Sequence, residues 1–380
     1  MILEIFSKET RERLDVIKSY SFIQVIDKFN NVGTFVIKMP FNEESIKHLK
    51  RGNYILFEKE VMGVITYLYK STGETSLLEV KGMFLKRILS YRSFGRTKSY
   101  QGTIVEIARK MVRDSFLENS DERNIISYIS INEDEIGSDL ETISKQVTGG
   151  TLLDAISSML ETDSYGFNLI PKIVAYDEES DTPTNISSFV FKVIEPVDRT
   201  IGNSYGNNPV VFSVDMNNLA NLLYEEDDEL YCSTAIVAGE GEGSERKILE
   251  VGDQEVSGIN RIELYVDARD LQSIKEDGTT MSEEEYTALL RQRGLENLDA
   301  HKLSIVFSGT IVEGNLSHTY GVDFKNGDFV SLIDEQLNIV LNTQITEVIK
   351  SKTEAGEIID LTFGYERATL KQLLKKKGVL

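Results

Sequence analysis

The stretch VAGEGEGSERK, residues 237–247, follows the strand-like run Thr234–Val237 and carries glycines at 239, 241 and 243. Its reading decides between a phosphate-binding α/β site and a β-rich scaffold. A dinucleotide site needs G-x-G-x-x-G between a strand and a helix, so that the phosphate meets a helix N-terminus. The residue three after Gly241 is Ser244, and Arg246–Val251 alternates like a strand. Glu240, Glu242 and Glu245 place negative charge where the anion would sit. The G-K-[ST] of a P-loop is missing. The stretch therefore reads as a hairpin or inter-subunit loop.

Composition agrees with a scaffold. A chain of 380 residues implies two to four domains. An apolar share of 41%, with 17 Phe and 16 Tyr, supports packed cores. The net charge of −21 opposes duplex-DNA binding, which is driven by neutralised phosphates, and suits a conduit that DNA passes without sticking. The single cysteine, Cys232, forms no internal disulfide and reads as a buried structural thiol, consistent with synthesis in a reducing cytoplasm. Residues 1–5, MILEI, read as a strand and not a signal peptide. No run approaches the ~20 apolar residues of a membrane span, so no stable membrane association is expected.

Short strands are predicted at Ser21–Asp27, Gly33–Lys38, Asn53–Glu58, Gly63–Lys70 and Ser76–Gly82, with a helical turn or two at Glu43–Leu49. The period then changes. Ile104, Ile107, Ala108, Met111 and Val112 mark a half-buried helix, and Thr151 with Asp154 caps a second one. Strands at Gly166–Ala175 and Ser188–Ile194 flank an exposed loop at Asp177–Asn185, and Thr200–Pro209 reads as a linker. Strands return at Val210–Val214, Leu230–Ala238, Lys247–Val251 and Ile262–Val266. A third helix starts at the capping pair Ser282 and Glu285, with Gly294 expected to end it. Leu303–Val312, Phe329–Ile333, Asn338–Lys350 and Glu357–Phe363 read as strands, and Thr369–Lys377 as a short basic helix.

Motifs for chemistry are missing. His48, His301 and His318 are scattered, with no H-E-x-x-H or C-x-x-C, so no metal site is expected. Asn132–Gly137 has an EF-hand flavour but lacks an acid at loop position five. Glu225–Glu229 reads as a solvated charged turn. No G-x-S-x-G elbow occurs. A carboxylate pair for glycoside hydrolysis stays open among 62 acids. Arg92, Arg96 and Lys98, near Tyr91, Phe94 and Tyr100, form either a partner-binding edge or an inter-domain loop. Lys371, Lys375, Lys376 and Lys377 suit the last turn of a helix, where they favour the dipole, with a docking site on an acidic partner as the alternative. No catalytic, cofactor-binding or metal-binding residue is assigned, and no cofactor is expected.

Six stretches, in order, resemble one family. They are GMFLKRILSYR (82–92), GTLLDAISSML (150–160), NPVVFSVDMNNLANLLYEEDDELYCSTAIVAGEGEGSERKILEVGD (208–253), GINRIELYVDARDL (258–271), YGVDFKNGDFVSL (320–332) and IIDLTFGYERATL (358–370). Together they resemble the siphovirus tail-hub proteins of Gram-positive phages and prophages, related to baseplate hubs and to the N-terminal modules of tail-associated proteins.

The resemblance implies an α+β, β-rich fold with two small tube-like β-barrels, an inserted α+β domain and a short C-terminal helical tail. Residues 1–92 would form the first barrel, completed by strands near 208–226. Residues 93–207 would be the inserted domain. Residues 227–365 would be the second barrel, with a helical insertion near 281–302, and 366–380 a basic helix. The implied function is a non-enzymatic homotrimeric ring that adapts a hexameric tail tube to a threefold tip around the ejection channel. Its partners would be tail tube or distal tail proteins, tape measure protein and a tip or spike protein, with DNA only passing through. The location would be the tail tip or baseplate of a virion or of a phage-tail-like bacteriocin, after synthesis in the bacterial host cytoplasm. Relatives that continue into hydrolase or receptor-binding regions place the expected end of the hub module near Leu380, with any such activity on a separate protein. A cell-wall hydrolase or a carbohydrate-binding tail-tip protein remains the alternative.

Overall fold

In a computed structural model, the structure describes residues 2–364 apart from 42, 59–60, 72–75, 138, 178–181, 276–277, 313–317 and 337–338. The chain opens with β1 (Leu3–Phe6), β2 (Arg13–Ile17), β3 (Phe22–Lys28), β4 (Thr34–Pro40), the short helix α1 (Glu43–His48), β5 (Tyr54–Phe57), β6 (Val61–Ser71) and β7 (Leu77–Phe84). Period-two alternation builds this part. Ile23 and Val25, Phe35 and Ile37, and Leu78 and Val80 face one core with Leu3, Ile5 and Phe57. Gln24, Val36, Lys38 and Glu79 lie on the other face, only half-buried.

A 3-10 turn at Leu85–Tyr91 leads to β8 (Lys98–Gly102), α2 (Ile104–Phe116), β9 (Ile129–Ile131), β10 (Ile143–Val147), α3 (Leu152–Glu161), β11 (Gly166–Tyr176) and β12 (Pro183–Ile194). Both helices start as the sequence predicts. The Glu106 N–H donates to Thr103 Oγ1 at 3.3 Å, and the Asp154 N–H to Thr151 Oγ1 at 3.1 Å. Ile107, Met111, Ile156 and Met159 pack on Phe167, Phe189 and Phe191. The same core takes in Phe6, Tyr54, Leu56 and Val64, so β5 is buried on both faces and the middle unit is seated firmly on the first strands.

The rest comprises β13 (Val211–Ser213), β14 (Leu219–Asp227), β15 (Thr234–Ala238), β16 (Ile248–Gly252), β17 (Glu263–Asp267), α4 (Glu283–Asp299), β18 (Ser304–Ile311), β19 (Phe329–Asp334), β20 (Ile339–Thr353) and β21 (Gly356–Phe363). Among the described residues, thirteen strands form one sheet, with the path β14-β18-β21-β20-β3-β4-β7-β6-β5-β1-β2 and β13 and β19 joined at β20. The β-rich α+β class is as expected, and its two β-units are halves of one continuous sheet.

Several expectations need correction. Strands near 208–226 do not complete the first β-unit: β13 pairs with β19, and β14 with β18. The partner of β3 is β20, whose Glu347–Thr353 pairs with Lys28–Phe22 on one side and with β21 on the other. A strand of 15 residues is long enough to serve β19 first and then both halves. The strands between 234 and 267 do not join the second β-unit. They form a separate sheet, β16-β15-β17, with its own core against α4. Gly294 does not end α4, which runs on to Asp299, because the glycine is there for packing: a Cβ would lie 2.4 Å from Val251 Cγ2 and 2.7 Å from Val237 Cγ2. Glu225, Glu226 and Asp227 belong to β14 and not to a turn. The basic helix at Thr369–Lys377, the 366–380 segment and part of the Asp177–Asn185 loop lie outside the described residues.

Candidate assembly surface

The glycine-rich stretch is a turn between β15 and β16, at the end of a strand of the small separate sheet. The Gly239 N–H donates to the Lys247 carbonyl at 2.9 Å, and the Glu240 N–H to Tyr286 Oη at 2.8 Å. The Glu240 carboxylate accepts from Ser273 Oγ at 2.6 Å and from the Ser273 N–H at 3.2 Å. Gly241 has φ +98°, and a Cβ there would lie 2.7 Å from the Glu245 carbonyl oxygen. The Arg246 guanidinium donates back to the Gly241 carbonyl. The glycines thus let a tight turn pack against the first turn of α4, and the segment that follows the loop is a strand, so the loop does not itself open a helix.

Alternation along the small sheet separates two faces. Ala235, Val237, Leu249, Val251, Leu264 and Val266 pack on Tyr286, Leu289 and Leu290 of α4. The opposite face carries Ile236, Ile248, Glu250, Glu263, Tyr265 and Asp267. Ile248 is 51% and Tyr265 60% exposed, and Ile259 nearby is 95% exposed. Charges on this face are paired in place. Arg261 bridges Glu250 at 2.9 Å and Glu263 at 2.8 Å, Arg269 Nε donates to Asp267 at 2.8 Å, and Arg246 reaches Tyr265 Oη at 3.2 Å. Hydrogen bonding from Arg269 holds the Asp267 carboxyl below its usual range. An open sheet face with large apolar side chains framed by ion pairs has the composition of a protein contact.

The other sequence candidates are spread over the fold. Cys232 is half-buried ahead of β15, and burial pushes its thiol up. Glu133 of the EF-hand-like stretch pairs with Arg113 of α2, and Arg109 donates to the Asp134 carbonyl. Arg92 donates to the Asn124 carbonyl and lies over the Phe116 ring, while Phe94 and Tyr100 are buried, so this cluster ties the middle unit together. His48, His301 and His318 stay apart: His301 bonds the Asn297 carbonyl and His318 the Val211 N–H. Among the described residues no three His, Cys, Asp or Glu side chains gather as metal ligands, and no helix is long and apolar enough to cross a membrane. Sequence reasoning missed the open face, although its signal was present: after the turn, Glu250 in β16 and Glu263 and Asp267 in β17 alternate with the core residues Leu249, Val251, Leu264 and Val266.

The Siphovirus ReqiPepy6 Gp37-like family matches residues 2–365. The chain belongs to this family. Solved structures agree on the fold of this Gp37-like protein. It superposes on the 43 kDa tail protein of prophage MuSo2 from Shewanella oneidensis with a TM-score of 0.57 at 14% identity, over 96% of this chain and 98% of that one. A tail protein from Neisseria meningitidis MC58 gives 0.55 at 12% identity, over 96% and 97%. The prophage tail protein gp18 from Listeria monocytogenes EGD-e gives 0.54 at 14% identity, over 100% and 98%. No curated protein matches the sequence. Family and fold together make the Gp37-like chain a phage-tail-type structural protein.

Proposed function

We propose that this protein is the hub of a phage tail or phage-tail-like particle, a homotrimeric ring that joins the tail tube to the tip around the ejection channel. The observation that carries the reading is the family match over 2–365 on a chain whose two β-units share one sheet through β20. Two β-units per subunit would let three chains present six units to a sixfold tube. The net charge of −21 favours passage of DNA over retention. Distal tail, tape measure and tip or spike proteins are the partners of this reading, and the virion tail its location. It assigns the protein no catalysis.

Light scattering over a concentration series tests it. The expected species has three times the chain mass of 42.9 kDa. Asp at Ile248 and Tyr265 is expected to disperse that species while leaving monomer stability within ~0.5 kcal/mol, as for surface changes in general. A monomer at every concentration, alone and with tube proteins added, together with hydrolysis of cell walls, would overturn the hub in favour of an enzyme.

A further inference from the structure

A groove of about 630 Å³ opens between the middle unit and α4. Its lining includes Ile143 of β10 and Leu295 of α4, the latter 42% exposed. Asp139, Glu141, Asp163 and Asp299 line it too. The basic residue among them, Lys302, already pairs with Asp299 at 2.9 Å. Burial, and then the charges of Asp299 and Glu141, push the Asp163 carboxyl up. A lining that combines apolar side chains with four carboxylates suits an occupant that is both apolar and basic.

The described chain leaves the fold beside this groove. The Gly364 N–H donates to the Gln344 carbonyl at 2.8 Å, and the Gln344 side chain donates to the Ser164 carbonyl at 2.9 Å. Ser164 directly follows Asp163. Residues 365–380 read YERATLKQLLKKKGVL. Leu370, Leu373 and Leu374 recur at i, i+3 and i+4, the apolar stripe of a helix. Lys371, Lys375, Lys376 and Lys377 accompany it. Four extended residues span ~13 Å, about the reach of one glutamine side chain with a hydrogen bond at either end.

We propose that the segment 369–377 docks into the groove of its own chain, with its leucines against Ile143 and Leu295 and its lysines against Asp139, Glu141, Asp163 and Asp299. Dipole compensation at a helix end accounts for the lysines but not for the leucine stripe. It also leaves the charges of Asp299 and Glu141 acting on the Asp163 carboxyl within the groove. The proposal does not depend on the hub reading.

Cys232, the single cysteine of the chain, lines the same groove and reports its occupancy. In the full-length protein, maleimide modification of Cys232 is expected to be about tenfold faster in the K371E/K375E/K376E/K377E variant than in the unaltered chain, as for a site exposed only by local opening. Mild oxidation of the Leu373→Cys variant is expected to join position 373 to Cys232, read as a linked peptide by mass spectrometry. Equal modification rates, or no linked peptide, overturn the proposal. Mixing isotopically labelled and unlabelled chains separates the sources. A link within like-labelled chains supports docking in the same chain, and a link between differently labelled chains overturns it in favour of a neighbour's segment.

Discussion

Lys145 of β10 and Glu296 of α4 form a buried ion pair, each side chain only 8% exposed, between elements 151 residues apart. The pair ties the middle unit to the small α4 unit, helped by Gln146, whose side chain accepts from the Gln272 N–H at 2.8 Å. Burial alone would raise the Glu296 carboxyl; the charge and hydrogen bond of Lys145 outweigh it and hold the group below its usual range.

Glu296→Leu is therefore expected to destabilise the protein by about 3–5 kcal/mol, because it removes the carboxylate partner of a buried ammonium. The double variant with Lys145→Met is expected to recover most of that loss. Denaturant melts of both variants check it. A single variant as stable as the parent would show that the two units are not coupled through this pair. Because the folded value is depressed, the stabilisation is complete above the ordinary carboxylate range and is lost as pH falls through the folded value.

Lys86 gives a second pH signature. Its ammonium is buried, donates to the Lys28 carbonyl at 2.5 Å and the Phe29 carbonyl at 3.0 Å, and lies 5.3 Å from the centre of the Phe167 ring. Burial lowers it from 10.5 to about 8. Between those values the unfolded chain holds a proton that the folded chain has released, so stability rises with pH. The full rise is up to roughly 3 kcal/mol at ~1.36 kcal/mol per unit. Tyr54, Tyr165 and Tyr320, pushed up by burial, act in the opposite direction above the ordinary tyrosine range. Urea midpoints are thus expected to climb between about pH 8 and 10, and the climb to vanish in Lys86→Met. An identical climb in the variant would assign it elsewhere.

Gly294→Ala sets two effects against each other. Alanine gains about 1 kcal/mol of helix propensity. Its Cβ would lie 2.4 Å from Val251 Cγ2, and overpacking costs about 1–3 kcal/mol. Valine is stiff at χ1 and yields little. Net destabilisation is expected, readable as a lower melting temperature; a stabilised variant would mean that α4 shifts freely on its sheet.

The turn at 239–243 offers the fourth test. Valine at Gly239 would meet Tyr286 Oη at 2.6 Å, and at Gly241 would need φ +98°. A β-branched residue in that backbone region costs on the order of 1–3 kcal/mol. The double variant is expected to lose protection of the α4 unit in hydrogen exchange while the thirteen-stranded sheet keeps its own. Unchanged protection of the α4 unit would show that the turn carries no packing role.

Much of this protein was readable in its sequence. The strand signals in Ser21–Asp27 and Gly33–Lys38, the helical period after Gly102 and the caps at Thr151 and Ser282 are local, and each leads to the element it predicts. The argument against a phosphate loop at 237–247 was also local, since it needed only the strand-like residues after Gly243. Partner choice was not readable. Nothing within Ile339–Thr353 states that it lies between β3 and β21, because strand pairing depends on contacts with residues some 320 positions away. Nor does the sequence around Gly294 reveal that two valine methyl groups occupy the space beside it, so a helix-ending glycine and a packing glycine look alike until the fold brings Val237 and Val251 against α4. The sequence by itself determined the elements and the β-rich class, because propensity, period and capping act within a few residues. Tertiary structure alone decided the single sheet joining both halves, the separate α4 unit with its open face and the acid-lined groove, because burial and pairing are set by residues far apart in the chain.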